Sequence, residues 1–129
     1  MRAVDAWCDD PVSATATYGP IGEWDTSQVT SMFWSMRGLF EDKSDFNDDI
    51  SHWDVSGVTD MRCMFANASS FNQPVEGWST GSVTGMGCMF YGASSFNQPV
   101  EGWDTGSVTH MEGMFLGTKR QAPGGCVVS

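Results

Sequence analysis

Apolar residues return along this chain at fixed offsets within a unit of 25 residues: Trp53, Trp78 and Trp103 are evenly spaced, and Phe71 to Gly77 recurs as Phe96 to Gly102. A period of that size predicts stacked supersecondary units, because no single copy buries its own apolar side. Aligned, the copies read Ile21-x-x-Trp24-x-Thr26, Ile50-x-x-Trp53-x-Val55, Val75-x-x-Trp78-x-Thr80 and Val100-x-x-Trp103-x-Thr105. Each is expected to supply one short strand to a parallel ladder. Downstream, Val58, Met61, Met64, Phe65 and Ala68 fall at steps of three and four, as do Val83, Met86, Met89, Phe90 and Ala93. That spacing predicts an amphipathic helix or helical turn. Thr59 and Thr84 stand where an N-cap would, and the Asn47, Asn72, Asn97 column is placed to bond turn backbone from copy to copy.

The first copy is longer, with 29 residues from Trp24 to Trp53. Matching Met36 to Met61 places four extra residues within 31–35, which predicts a first helix longer by about one turn. Val4, Trp7 and Cys8 lie at helical spacing before Pro11, so the expected organisation is an N-terminal cap over 1–20, a four-copy repeat body over 21–117 and a flexible Gly/Pro tail over 118–129. End-on association through the uncovered last copy follows as an expectation.

Charge narrows the partners. Sixteen acidic against six basic residues leave a net charge of -10, which disfavours nucleic acid and anionic lipid head groups. Basic proteins, cations or neutral glycans fit better. No apolar run approaches the ~18 residues of a membrane span, and the first residues lack the apolar stretch of a secretory signal.

The pattern W-D-[TV]-S/G-x-V-T-x-M-x-x-M-F-x-x-A-x-x-F-N-Q around Trp53, Trp78 and Trp103 resembles the BspA-like family of leucine-rich-repeat surface proteins, over about residues 21–117. The inward spacing matches LxxLxL with Trp in the second slot. The expected fold class is therefore an α/β solenoid: a leucine-rich-repeat-like right-handed coil with about four short parallel strands on one face, helices or helical turns on the other, and a helical N-terminal cap. The resemblance further implies a cell-surface or extracellular protein that takes part in adhesion and protein binding, and it brings no catalytic residues; no cofactor is expected.

Residues between the inward strand positions should face outward as a column, Asp25, Asp54, Ser79 and Asp104, flanked by Glu23 and His52. On a concave strand face this acidic column is the expected binding surface. An equally good role for the same carboxylates is capping the following turn through the amides of Ser27, Ser56 or Ser107. Substituting Asp54 separates the two.

Other candidates reduce to structure. Asp45 to Ser51 carries acids and amides at calcium-loop places, but Ile50 and Ser56 occupy the sixth and twelfth, where Gly and Glu are needed. No metal site is expected, since neither His52 nor His110 joins a Cys/His cluster. The Met columns read as core and the Thr column as caps. Cys63 and Cys88 share a register about 4.8 Å apart, which suits two small buried thiols or, if the side chains converge, a disulfide. Cys126-Val127-Val128-Ser129 has the form of a prenylation box, making Cys126 a candidate lipidation site and a reversible membrane tether. That reading requires a cytosolic chain. It competes with a surface location, under which Asn67-Ala68-Ser69 is a glycosylation sequon.

The function expected from these readings is a non-enzymatic protein- or glycan-binding repeat module, with surface adhesion as its role. The alternative is a structural subunit or scaffold in a larger assembly, motivated by the uncovered end and by aromatics such as Trp34 and Tyr91. An enzymatic reading finds no Ser/His/Asp, Cys/His or metal constellation.

Overall fold

Aromatic rings from successive copies lie face to face and set the path of the chain. The computed structural model describes residues 2–34 and 37–118, the side chains of Arg2, Trp34 and Arg37 excepted. Phe40, Phe65, Phe90 and Phe115 form one column, with centroids 5.5, 5.3 and 5.7 Å apart. Phe46, Phe71 and Phe96 form a second column, each ring stacked on its partner in the first at 4.1, 4.1 and 4.0 Å. The indoles form a third row. Trp53, Trp78 and Trp103 each donate Nε1–H to a carbonyl one coil back, on Ile21, Ile50 and Val75, at 2.8, 3.2 and 2.8 Å. A buried indole N–H needs such a partner, so the row is pinned by polarity as well as by area.

The parallel-strand solenoid with helices on its back is not what the backbone adopts. Among the described residues no parallel strand is present; parallel contact is reduced to single-residue bridges, Ser31 to Asp60, Asp60 to Gly85 and Gly85 to His110. These lie downstream of the expected strand positions. Around Trp78 the reason is local: Pro74 lacks an amide donor, and turns at Glu76 to Gly77 and at Gly81 to Ser82 leave too little extended chain to pair. At the first copy, Ile21–Glu23 is a 3-10 turn.

The helices expected over the Val-Met-Met-Phe-Ala runs are also absent. Amides of Met61, Cys63, Phe65 and Asn67 leave their coil for the carbonyls of Gly85, Gly87, Met89 and Tyr91 at 2.8, 3.0, 2.8 and 2.6 Å, while Met64, Ala66 and Ala68 close turns onto Met61, Cys63 and Phe65. The next coil repeats this, with Met86, Cys88, Phe90 and Gly92 donating to His110, Glu112, Met114 and Leu116. Two columns in the left-handed region enforce the alternation: Cys63, Cys88 and Gly113 at φ 56°, 55° and 68°, and Asp42, Asn67, Gly92 and Gly117 at 64°, 59°, 70° and 85°. An α-helix needs unbroken right-handed torsions, so a left-handed residue every few positions forbids one. The threonines are not N-caps either. Thr59 and Thr84 donate their hydroxyls to Thr30 and Thr59 carbonyls of the preceding coil, each at 3.1 Å.

Among the described residues the insertion in the first copy makes no helix. Phe33–Trp34 (β1) and Arg37–Gly38 (β2) pair antiparallel, with Phe33 opposite Gly38. Short polar bridges tie the remaining edge: Asn72 and Asn97 amides donate to the Asn47 and Asn72 side-chain oxygens at 2.8 Å each. Two helices, Arg2–Asp9 (α1) and Pro11–Tyr18 (α2), lie against the first coil. Trp7 meets Trp24 edge-on at 6.1 Å and donates its indole N–H to Asp48 at 2.7 Å, and Lys43 pairs with Asp5 at 3.0 Å. Asp10 starts α2 by accepting from the Ser13 amide and hydroxyl, with Pro11 at the first helical position. At the other end of the stack, the amides of Met111, Gly113 and Gly117 have no acceptor among the described residues.

Candidate functional site

Glu23, Asp25, His52, Asp54, Ser79 and Asp104 are all exposed; none is on a strand, Glu23 lying in the 3-10 turn, His52 in a turn and the other four in irregular chain just before a turn. Asp25 Oδ1 accepts from the Ser27 amide at 3.0 Å and its hydroxyl at 2.6 Å; Asp54 Oδ1 does the same with Ser56, at 3.0 and 2.6 Å. Asp104 Oδ1 accepts from the Gly106 amide at 2.9 Å instead of reaching Ser107. Each carboxylate thus closes the turn whose backbone bond runs from Val29, Val58 or Val108 back to Thr26, Val55 or Thr105. Ser79 holds the equivalent place in the third copy.

Threonine bonds hold neighbouring members of the column together, Thr26 donating to the Asp54 carbonyl at 2.9 Å and Thr80 to that of Asp104 at 3.1 Å. The Ser27 hydroxyl and then its amide hold Asp25 below the usual carboxylate range, and Ser56 does so for Asp54, against a small upward push from Asp25. A carboxylate whose folded pKa is depressed adds stability above its unfolded pKa, about 3.9, and that stability is lost as pH falls through the folded value. The melting temperature should therefore stay level from pH 7 to about 5 and drop below about 4. In the Asp25→Asn, Asp54→Asn double variant the acid-side drop should be shallower. Identical slopes in thermal melts of the two proteins would remove the carboxylate turns as its cause.

Folding brings together a second acidic region that spacing did not reveal. A cleft of about 490 Å³ between α1 and the first coil is lined by Trp7, Cys8, Asp9, Asp42, Asp45 and Asp48, among others. The run from Glu41 to Asp49 reads as an acidic edge in the sequence; that Asp9 faces it follows only from the packing of α1. Burial pushes the Cys8 thiol up to about 11. Among the described residues no group of three or more His, Cys, Asp or Glu is placed to hold a metal ion. Asn67 of the sequon is exposed, with its amide nitrogen donating to Asp42 at 3.1 Å. Tyr91 is exposed, whereas the Trp34 side chain and all of Cys126 to Ser129 lie outside the described residues.

Residues 11–123 match the family described as Mycoplasma protein of unknown function, DUF285. The chain belongs to that family. DUF285 is the family of BspA-like repeat proteins. No curated protein and no solved structure matches this DUF285 chain. No helix among its described residues is long and apolar enough to cross a membrane.

Proposed function

We propose that this DUF285 protein is a non-enzymatic binding module whose exposed acidic ribbon engages a protein or glycan, with a basic protein segment as the best-fitting partner. The observation carrying this reading is the state of the carboxylates at Asp25 and Asp54. Each is locked by two bonds to Oδ1, and Oδ2 has no partner among the described residues. A carboxylate held in place and ionised loses little freedom when it meets a cation, which lowers the cost of association. The net charge of -10 favours encounter with a basic partner. Membership in a family of BspA-like repeat proteins is compatible with the surface part of the proposal.

Asp54→Asn tests the ribbon, because an amide oxygen can still accept the Ser56 amide while the charge is gone. Binding of a lysine- and arginine-rich peptide, followed by calorimetry at low salt, should weaken about 3- to 10-fold in the variant, and the melting temperature should change little. Unchanged peptide affinity would leave the residue with the turn alone.

A further inference from the structure

The left-handed columns hold one chemical anomaly. The column of Asp42, Asn67, Gly92 and Gly117 uses the residue types that tolerate positive φ, but the other column places cysteine there twice, Cys63 at 56° and Cys88 at 55°, before returning to Gly113. Nothing about the backbone asks for cysteine, so its side-chain chemistry is the feature left to explain. Both thiols are free and half-buried.

Geometry puts the two sulfurs side by side. Cys63 donates its amide to Gly87 at 3.0 Å and Phe65 donates to Met89 at 2.8 Å, so two bonds flanking Cys88 fix the register of the adjacent coils. A Cβ built on Gly113 would lie 3.4 Å from Cys88 Sγ, which means that this sulfur leans along the stack onto the following coil. One copy earlier the side chains of Cys63 and Cys88 are within hydrogen-bond reach of each other, so Cys63 meets Cys88 across the adjacent coils.

We propose that Cys63 and Cys88 are a modification site: a thiol pair that closes into a disulfide between adjacent coils when the folded protein meets a small-molecule disulfide. The ionised sulfur of one cysteine attacks a sulfur of the small disulfide, forming a mixed disulfide and releasing one small thiolate. The second cysteine, once ionised, attacks the protein sulfur of that mixed bond and expels the other small thiolate. Two protein thiols are oxidised, one small disulfide is reduced to two thiols, and the two protons lost by the cysteines end on them. Burial first, then Glu41 and the Cys88 sulfur, push the Cys63 thiol up to about 11. Exchange is therefore slow at neutral pH and faster in mild alkali. The closed pair would bolt together two coils otherwise joined through hydrogen bonds and packing.

The test uses the full chain carrying Cys8→Ser and Cys126→Ser, incubated with glutathione disulfide in mild alkali. Cleavage at Met64, Met86 and Met89 separates the two cysteines, so mass spectrometry should find their fragments joined until a reductant is added. The linked protein should melt several degrees higher than its reduced form. Cys88→Gly, which suits the left-handed backbone, should fold and show neither the link nor the shift. The proposal fails if the folded chain stays reduced, or carries only separate glutathione adducts, under conditions that join the two cysteines in urea. It also fails if the linked protein melts no higher than the reduced one.

Discussion

Phe65→Ala is expected to lower the stability of the fold by about 3–5 kcal/mol, the range for emptying a buried aromatic site. The ring is fully buried and stacks on Phe40 at 5.5 Å, Phe71 at 4.1 Å and Phe90 at 5.3 Å, with Trp78 at 6.4 Å. Collapse into the vacated space is opposed from every side, because Phe71, Phe90 and Trp78 each stack on a ring of the following copy, Phe96, Phe115 and Trp103, and Phe40 is held by Phe46 and Trp53. For a chain of this length the loss corresponds to a fall in melting temperature of roughly 10–20 °C. Urea unfolding measures it directly. A loss under about 1 kcal/mol would mean that the ring columns slide to refill the site.

Gly38→Ala should be nearly as damaging for a different reason. A Cβ there would overlap the Cys63 carbonyl oxygen and carbon and stand 2.7 Å from the Met64 nitrogen, all backbone atoms. No rotamer change relieves that contact, so the first and second coils must part. The bonds from Phe40 to Met64 and from Asp42 to Ala66 then go with it. The expected loss is about 2–3 kcal/mol, the upper part of the range for overpacking. In a nearest-neighbour stack the damage stays local. Hydrogen exchange should lose protection at the Phe40 and Asp42 amides while the amides of Met86 and Phe90 keep theirs. Gly77→Ala, where nothing lies within 4 Å, is the control and should change little. Equal effects at Gly38 and Gly77 would show that the close approach of the two coils is not what glycine secures.

Burial was legible in the sequence because a repeat reports it several times over. Ile50, Val75, Trp53, Trp78, Met61, Met86, Phe65, Phe90, Phe71 and Phe96 all sit in the core at matching offsets. Exposure of the Asp25, Asp54 and Asp104 column was equally readable. The helical reading of 58–68 failed although its spacing was right, since steps of three and four bury residues on a string of tight turns as well as on a helix. A signal was present: Asp42, Asn67, Gly92 and Gly117 in one column, and Gly113 four residues before the last of them, are types suited to positive φ. Read together they disrupt a helix in every copy. The expected longer first helix failed with it, since β1 and β2 pair antiparallel in that part of the chain. The acidic cleft was only half visible, because its α1 wall is distant in sequence from Asp42, Asp45 and Asp48.

The sequence by itself determined the period, the apolar residues that recur and the carboxylates left outside, because burial depends on side-chain type and a repeat states each type more than once. Only the tertiary structure decided the course of the backbone. The amides of Met61, Cys63, Phe65 and Asn67 find their acceptors 24 residues ahead, in a different coil. Local spacing carries no record of a bond made at that distance, and it is those bonds, satisfied at every second residue, that select turns over helix and strand.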